Sequence, residues 1–298
     1  MIKMRIAAIA CTGEGGVDES LSRGANLVRE ACCQNPDLIC FPEIFAWSCL
    51  PPERQREAAE PIDGPYCQAI AGLASEHKVN FLAPLMEQAD GRIYNTMLWF
   101  NRDGQITGHY RKVYPTLDEM ERGFWPGPLE FDVFDTEFGP IGCCICFDLN
   151  FPEVIQRIAE QKTPLILFPT MFDGTLLMQS WAKLFHMYFV SVAGYPYGAL
   201  VDPLGKVMIE PWKHPAIMIA DVNLDYVALH TDGNRKKFIN VKRKYENLAQ
   251  IDCHDIESSA LLSSFHPDRS ARDMAAEFDL ELEVDYYSRT RHQRQSLL

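Results

Sequence analysis

The sequence predicts an α/β protein built from layered sheets. Three observations carry this: short apolar runs alternate with helix-period segments in each half of the 298 residues, hairpin-like segments lie between them, and no Pro/Gly/Ser-rich linker divides the chain. With 47% hydrophobic and 23% charged residues, the composition is that of a globular protein with a sizeable core. The expected organisation is one main domain over residues 1–250, followed by an extension over residues 251–298.

Lys3 to Cys11 reads as the first strand. Its apolar stretch Ile6–Ala10 is too short for the core of a secretory signal, so a cytoplasmic location is the default expectation. After the loop Thr12–Gly16, Asp18 is expected to cap a helix whose apolar positions Leu21, Ala25, Val28, Ala31 and Cys32 recur at helical spacing; the helix ends before Asn35-Pro36. Asp37–Phe41 is nearly all apolar, consistent with a strand buried on both faces, and Pro42-Glu43 terminates it. A carboxylate thus stands at the end of a buried strand. A helix over Pro65–His77 and a strand over Asn80–Met86 follow. Arg92–Phe100, the turn Asn101–Gly104 and Gln105–Tyr110 then make a strand pair ending in Arg111-Lys112.

Thr116–Arg122 reads as a helical turn, Pro126-Gly127 breaks the chain, and Phe131–Phe134 resumes a strand. The apolar run Gly139–Cys146 ends in a thiol. Asp148 and Asn150 interrupt it, and Pro152 occupies the first position of a helix reaching Gln161. Strand Pro164–Phe168 and a helix over Leu176–Met187, carrying Trp181 and His186, continue the alternation. Phe189–Val192, Gly198–Val201, Val207–Glu210 and Ile217–Val222 are the closing strands, with ordinary turn chemistry at Asp202–Gly205. Toward the end, Asp268–Glu277 is mostly polar, Leu280–Tyr287 alternates apolar with acidic residues, and Arg289–Arg294 is basic. This is the pattern of an extension that packs on a partner subunit or stays mobile.

The net charge of −13 weighs against a polyanionic partner such as nucleic acid. The one notable basic cluster, Asn234–Lys244, has helical spacing of its apolar members and reads as a solvated helix face. No apolar run is long enough to span a membrane as a helix. Ten cysteines in a large, core-forming chain read as reduced thiols. Cys143-x-x-Cys146 has no second pair at ligand-like spacing and lies within a strand-like run, which weighs against zinc and against a thioredoxin-like role.

Three groups therefore stand at strand ends: Glu43, Lys112 and Cys146. A thiol is mostly protonated near neutrality, and a carboxylate beside it disfavours the thiolate. Glu43 then suits a general base that takes the proton during attack. Lys112 offsets the carboxylate and, with the Phe147 backbone N–H, suits an oxyanion that develops on the substrate. Taken singly, each residue has an ordinary reading as loop, surface or core.

Together they carry a resemblance. Phe41-Pro-Glu-Ile-Phe45, Tyr110-Arg-Lys-Val113 with Pro115-Thr116, and Cys146-Phe-Asp-Leu-Asn-Phe-Pro-Glu153 resemble the three signatures of the nitrilase superfamily, the carbon-nitrogen hydrolases, in order and spacing. The similarity runs from about residue 3 to 225 and includes Val201–Gly205 and Ala220–Leu224. It implies an αββα sandwich of two stacked mixed sheets flanked by helices, a Glu43-Lys112-Cys146 triad, no metal or organic cofactor, and a homodimer or larger assembly. It also implies a second glutamate. The Lys-x-x-Pro-Thr-x-x-Glu arrangement points to Glu119, whereas counting back from Pro126-Gly127 fits Glu121; Glu119 is preferred.

Cys146-Phe-Asp followed by Phe-Pro-Glu resembles the amidase and carbamoylase branches. The implied reaction is hydrolysis of a small amide or carbamoyl compound through a thioester. Nitrile hydrolysis, or a member whose catalysis has lapsed into binding, is the alternative. Trp47, Phe147, Met171, Phe172, Phe124 and Trp125 are expected near the pocket. Where many relatives carry an Arg-Ala-x-Glu-Asn-like stretch, this chain has Phe185-His-Met-Tyr-Phe-Val190, and His186 there reads as a structural histidine.

Overall fold

The computed structural model describes residues 3–194, 198–209, 216–254 and 257–298. The chain forms two compact units, residues 4–221 and residues 222–298 together with Lys3.

The larger unit follows from the alternation of strands and helices. Its first sheet uses β1 (Lys3–Ile9), β2 (Leu38–Cys40), β3 (Asn80–Ala89), β4 (Arg92–Phe100) and β5 (Ile106–Arg111); its second uses β6 (Phe134–Thr136), β7 (Gly139–Cys143), β8 (Leu165–Thr170), β9 (Tyr188–Ala193), β10 (Leu200–Val201) and β11 (Val207–Ile209). The strand β12 (Ile217–Asn223) joins the first sheet beside β1, giving the order β12-β1-β2-β3-β4-β5, and the second sheet runs β11-β10-β9-β8-β7-β6. Both sheets are mixed. The pairs β1–β2 and β2–β3 are parallel while β3–β4–β5 is an antiparallel meander. In the second sheet β7–β8–β9 is parallel, with antiparallel pairs at both edges. The sheets stack on each other, with the Trp99 ring of β4 lying 5.6 Å from that of Phe134 on β6.

Helices cover the outer faces. On the first sheet, α1 (Val17–Cys32) and α3 (Pro65–His77) bury Val28, Ala31, Ile70 and Ala74 against Ile39, Phe81 and Phe100. The short α2 (Pro52–Glu57) lies between them in sequence. Beyond β5 come α4 (Leu117–Glu121), then α5 (Pro152–Glu160) and α6 (Thr175–Phe185). No helix among the described residues is long and apolar enough to cross a membrane.

Two local expectations change. Asp18 does not cap α1: the helix begins at Val17 with Gly16 at its N-cap and no side-chain cap bond, so Asp18 sits in the first turn, where its charge favours the helix dipole. The strand expected over Phe131–Phe134 starts only at Phe134. Side chains of α5 and of the residue after it take up the preceding backbone instead: Arg157 and Gln161 donate to the Phe131 carbonyl, and Gln161 Oε1 accepts from the Val133 N–H. In the last strand pair Val207–Ile209 is a strand, and Glu210 lies outside the described residues.

The smaller unit adds three strands beyond Ile217–Val222. They are β13 (Tyr226–His230), β14 (Ala249–His254) and β15 (Ser259–Ser264), paired antiparallel in the order β13-β15-β14. With α7 (Phe238–Tyr245), α8 (Ala271–Glu277) and α9 (Glu283–Ser296) they enclose a core that includes Leu229, Val241, Leu262 and Met274. The helix α7 buries Phe238, Val241 and Tyr245 and turns Lys242, Arg243 and Lys244 outward, so the basic cluster is a solvated face.

One buried charge cluster stiffens the meander. Glu87 on β3 accepts from Thr96 Oγ1 (2.8 Å), from both Arg111 nitrogens (2.6 and 2.9 Å) and lies 3.0 Å from His109 Nε2. Burial raises the carboxyl, but Arg111, His109 and Thr96 outweigh it and bring it down to about 2. A carboxylate depressed on folding stabilises fully above its unfolded value and loses that contribution as pH falls through the folded one. Urea unfolding should therefore show Glu87→Gln much less stable than wild type at pH 7, with the gap narrowing as pH falls from about 4.5 toward 2.

Candidate active site

The three strand-end residues converge in the larger unit, together with one glutamate from α4. The backbone of Lys112 is fixed from both sides: its N–H donates to the Asn95 carbonyl (2.8 Å), and its carbonyl accepts from the Gly127 N–H (2.8 Å). Gly127 is required there, because a Cβ would lie 2.4 Å from the Arg111 carbonyl oxygen. Glu43 follows β2, whose line continues through the Phe41 N–H bond to the Leu82 carbonyl (3.0 Å).

Glu119 is delivered by a helix start written into the sequence. In the capping box Thr116-x-x-Glu119, the Glu119 N–H donates to Thr116 Oγ1 (3.2 Å) and the Thr116 N–H donates to Glu119 Oε2 (2.7 Å). Lys112 Nζ then donates to Glu43 Oε1 (2.8 Å) and to Glu119 Oε1 and Oε2 (3.0 and 2.8 Å). Glu121, two residues on, is exposed and is not brought to the lysine. Burial disfavours the ammonium, yet Glu43 and then Glu119 overcome it and hold Lys112 protonated well above the usual lysine range. Burial likewise raises Glu119, and Lys112 reverses this, leaving its carboxyl below the ordinary value. Both partners' shifts describe a buried ion pair between them.

Cys146 begins a 3-10 turn, Cys146–Asn150, with Cys144 and Ile145 between it and β7. It has φ of +47°, a left-handed conformation that a non-glycine residue adopts only when its surroundings enforce it. Asp148 enforces it. Its fully buried carboxyl accepts from the Ile145 N–H (3.0 Å), the Tyr114 N–H (2.8 Å) and the Tyr110 hydroxyl (2.8 Å), tying the cysteine turn to the segment that carries Lys112. Burial still dominates and pushes this carboxyl up to about 7. Asp148→Ala should orphan three donors, two of them buried, cost about 2 to 3 kcal/mol in urea unfolding, and reduce kcat through misplacement of the thiol.

Glu43, Lys112 and the Met171 backbone N–H lie near enough to the Cys146 thiol to act on its ionisation. Burial and then Glu43 drive the thiol up to about 12, with Lys112 opposing them, so the sulfur carries its proton at neutral pH. Cys143 and Cys144 are fully buried, and desolvation drives both thiols far above the ordinary range.

The expected pocket residues divide into two sets. Phe147 and Met171 are partly exposed beside the thiol, at 36% and 43%. Trp47 is wholly buried, with its indole N–H donating to the Ala58 carbonyl (2.8 Å) and its ring against Tyr66, so it packs the core. Phe172 packs edge-on against Phe168. Phe124 is buried, while Trp125 is exposed under the Arg92 guanidinium. His186 ends α6 in a left-handed conformation, a structural position.

Sequence reasoning missed Asn95. Its Nδ2 donates to Glu43 Oε1 (2.8 Å) and Glu119 Oε1 (3.1 Å). The available signal was the polar pair Asn95-Thr96 inside the otherwise apolar stretch Ile93–Phe100.

Two stacked mixed sheets between helices, with a cysteine turn shortly beyond the interior strand β7, define a nitrilase-like fold. The carbon-nitrogen hydrolase family model matches residues 5–230, and the chain belongs to that family. Omega-amidase NIT2 of Homo sapiens is 26% identical over 254 residues, covering 76% of this chain and 91% of that protein. Among solved structures, Nit3 of Saccharomyces cerevisiae, a member of branch 10 of the nitrilase superfamily, is 25% identical with a TM-score of 0.66, covering 74% of this chain and 89% of that one. An amidase from Nesterenkonia sp. shares the fold at 20% identity, with a TM-score of 0.63 over 74% of this chain and 90% of its own.

Proposed function

We propose that this carbon-nitrogen hydrolase is an amidase of small amide or carbamoyl compounds, working through a thioester on Cys146. The observation that carries this reading is the buried, hydrogen-bonded group Glu43–Lys112–Glu119 beside the Cys146 thiol, in which a protonated thiol neighbours a carboxylate that is itself held by an ammonium. A thiol at about 12 needs a base at the moment of attack. Glu43 takes the proton as the sulfur–carbon bond forms, then passes it to the leaving nitrogen as the carbon–nitrogen bond breaks. Ammonia or an amine departs. A water then attacks the thioester and gives its proton to Glu43; the sulfur leaves and recovers that proton.

Lys112 serves the oxyanion. Its three hydrogens face Glu43 Oε1 and both Glu119 oxygens, and the one on the longest of these contacts, Glu119 Oε1 at 3.0 Å, turns to the substrate oxygen when substrate binds; the Phe147 N–H is the second donor. Glu119 holds Lys112 in place and charged. Phe147 and Met171 border the substrate. The similarity to an omega-amidase supports amide rather than nitrile chemistry.

The protein acts as a homodimer or larger homo-oligomer in this reading. Leu176 and Leu184 support it, standing exposed two turns apart on one face of α6. Sedimentation velocity would expose the error by returning a monomer. The function itself is tested by ammonia release over a panel of amides, carbamoyl compounds and nitriles, with Cys146→Ala as control. Turnover of amides or carbamoyl compounds that vanishes in Cys146→Ala is the expected result; turnover of nitriles alone would contradict it.

A further inference from the structure

Asn95 lies 1% exposed on β4, directly beside the lysine-bearing strand, as the register Thr96↔Arg111 requires. Its single Nδ2 spends its two hydrogens on two carboxylates, Glu43 Oε1 at 2.8 Å and Glu119 Oε1 at 3.1 Å. Its Oδ1, by contrast, is buried and meets no donor among the described residues. An orphaned buried acceptor is costly, and a leucine of similar volume would avoid it. Rotating the amide would bring its oxygen against both carboxylates, so the amide is kept for its donors.

Those donors divide the labour within Glu43. Oε1 already accepts from Lys112 Nζ at 2.8 Å, and the Asn95 hydrogen fills its second lone pair. Oε2 is then the oxygen left to receive a proton. We propose that Asn95 is a positioning residue of the hydrolase: by saturating Glu43 Oε1 and linking it to Glu119, it presents Oε2 to the Cys146 thiol. This rests on Glu43 being the base for Cys146.

The charged and titratable groups facing position 95 are Glu43 from the segment after β2, Lys112 immediately after β5 and Glu119 from α4, with Cys146 beyond Glu43. A carboxylate that loses a donor holds its proton more tightly. In Asn95→Leu, the acid limb of the pH–kcat profile should move to higher pH by about half a pH unit or more. Alkylation of Cys146 by iodoacetamide should show the same displacement. The kcat at the optimum should drop about ten- to a hundredfold, with KM changed by less than about threefold. Asn95→Asp places a third carboxylate in the group, so its activity relative to wild type should be lowest at alkaline pH. It should recover on acidification, where a protonated Asp can donate again.

Circular dichroism at each pH restricts the comparison to folded protein. If Asn95→Leu does not fold, the pH-dependent ratio for Asn95→Asp carries the test. Unshifted limbs in Asn95→Leu, or a constant Asn95→Asp to wild-type ratio from pH 5.5 to 8, would overturn the proposal. The alkylation profile separates the two layers of inference. A wild type without amide turnover, but with a shifted alkylation limb in Asn95→Leu, sinks the amidase reading and leaves the role of Asn95 standing. Amide turnover with unshifted limbs does the reverse.

Discussion

Lys112→Met should lose most of the catalysis and much of the stability at once. The ammonium is buried and contacts both Glu43 and Glu119, so its removal leaves two carboxylates in a dry site with Asn95 as their shared donor. Breaking one side of a buried ion pair costs about 3 to 5 kcal/mol, because the stranded charge has lost its solvent as well as its partner. Loss of an oxyanion donor costs about 10²- to 10³-fold in kcat on top of this. Urea unfolding and steady-state kinetics measure the two effects separately. The double variant Lys112→Met/Glu119→Gln distinguishes their origins. It removes one of the stranded charges, so it should recover part of the stability and none of the activity. A Lys112→Met protein as stable as wild type would show that the ion pair is not where the site's energy lies.

The second large effect is Glu43→Gln. The amide is isosteric and its Oε1 still accepts from Lys112 and Asn95, so the fold should survive. The proposed base is gone, and kcat should fall about 10²- to 10⁴-fold. The thiol should respond in the opposite sense. After burial, Glu43 is the next influence holding Cys146 up at about 12, so removing its charge should let the sulfur ionise at lower pH, with Lys112 still favouring the thiolate. The alkaline rise in iodoacetamide alkylation of Cys146 should accordingly begin at lower pH in the variant than in wild type. A slower enzyme with a more easily ionised nucleophile is the signature of a base that works during attack. A standing thiolate would predict no such gain.

Much of the site was legible because its parts sit at strand ends. Pro42-Glu43 closes an apolar run, Arg111-Lys112 closes a hairpin strand, and Cys146 follows another apolar run just before a helix-starting proline. Those are local signals, and the resemblance of three such segments to one family fixed their association. The choice between Glu119 and Glu121 was also local: Thr116 three residues before Glu119 forms the capping box, and the same turn that starts α4 aims Glu119 at the lysine.

What remained hidden was set by register between distant segments. Asn95 reaches Glu43 only because β2, β3 and β4 pair as they do, and Asp148 matters through donors at Tyr110, Tyr114 and Ile145 that no spacing rule assembles. Trp47 shows the converse error, since an aromatic beside a signature loop turned inward to the core.

The strands of the smaller unit escaped notice for a related reason. Ser259–Ser264 is half serine, and its burial arises from pairing on both edges with β13 and β14 rather than from an apolar run. The alternating acidic and apolar residues after Leu280 lead instead into the polar helix α9.

The central claim is a covalent one: Cys146 carries the acyl group between the two halves of the reaction. Rapid-quench mass spectrometry of the enzyme mixed with a slowly turned-over amide tests it most directly. The expected result is a mass increase equal to the acyl portion, confined to the peptide containing Cys146 and absent from Cys146→Ala. Steady release of ammonia with no adduct on that peptide, sustained by Cys146→Ala, would contradict it.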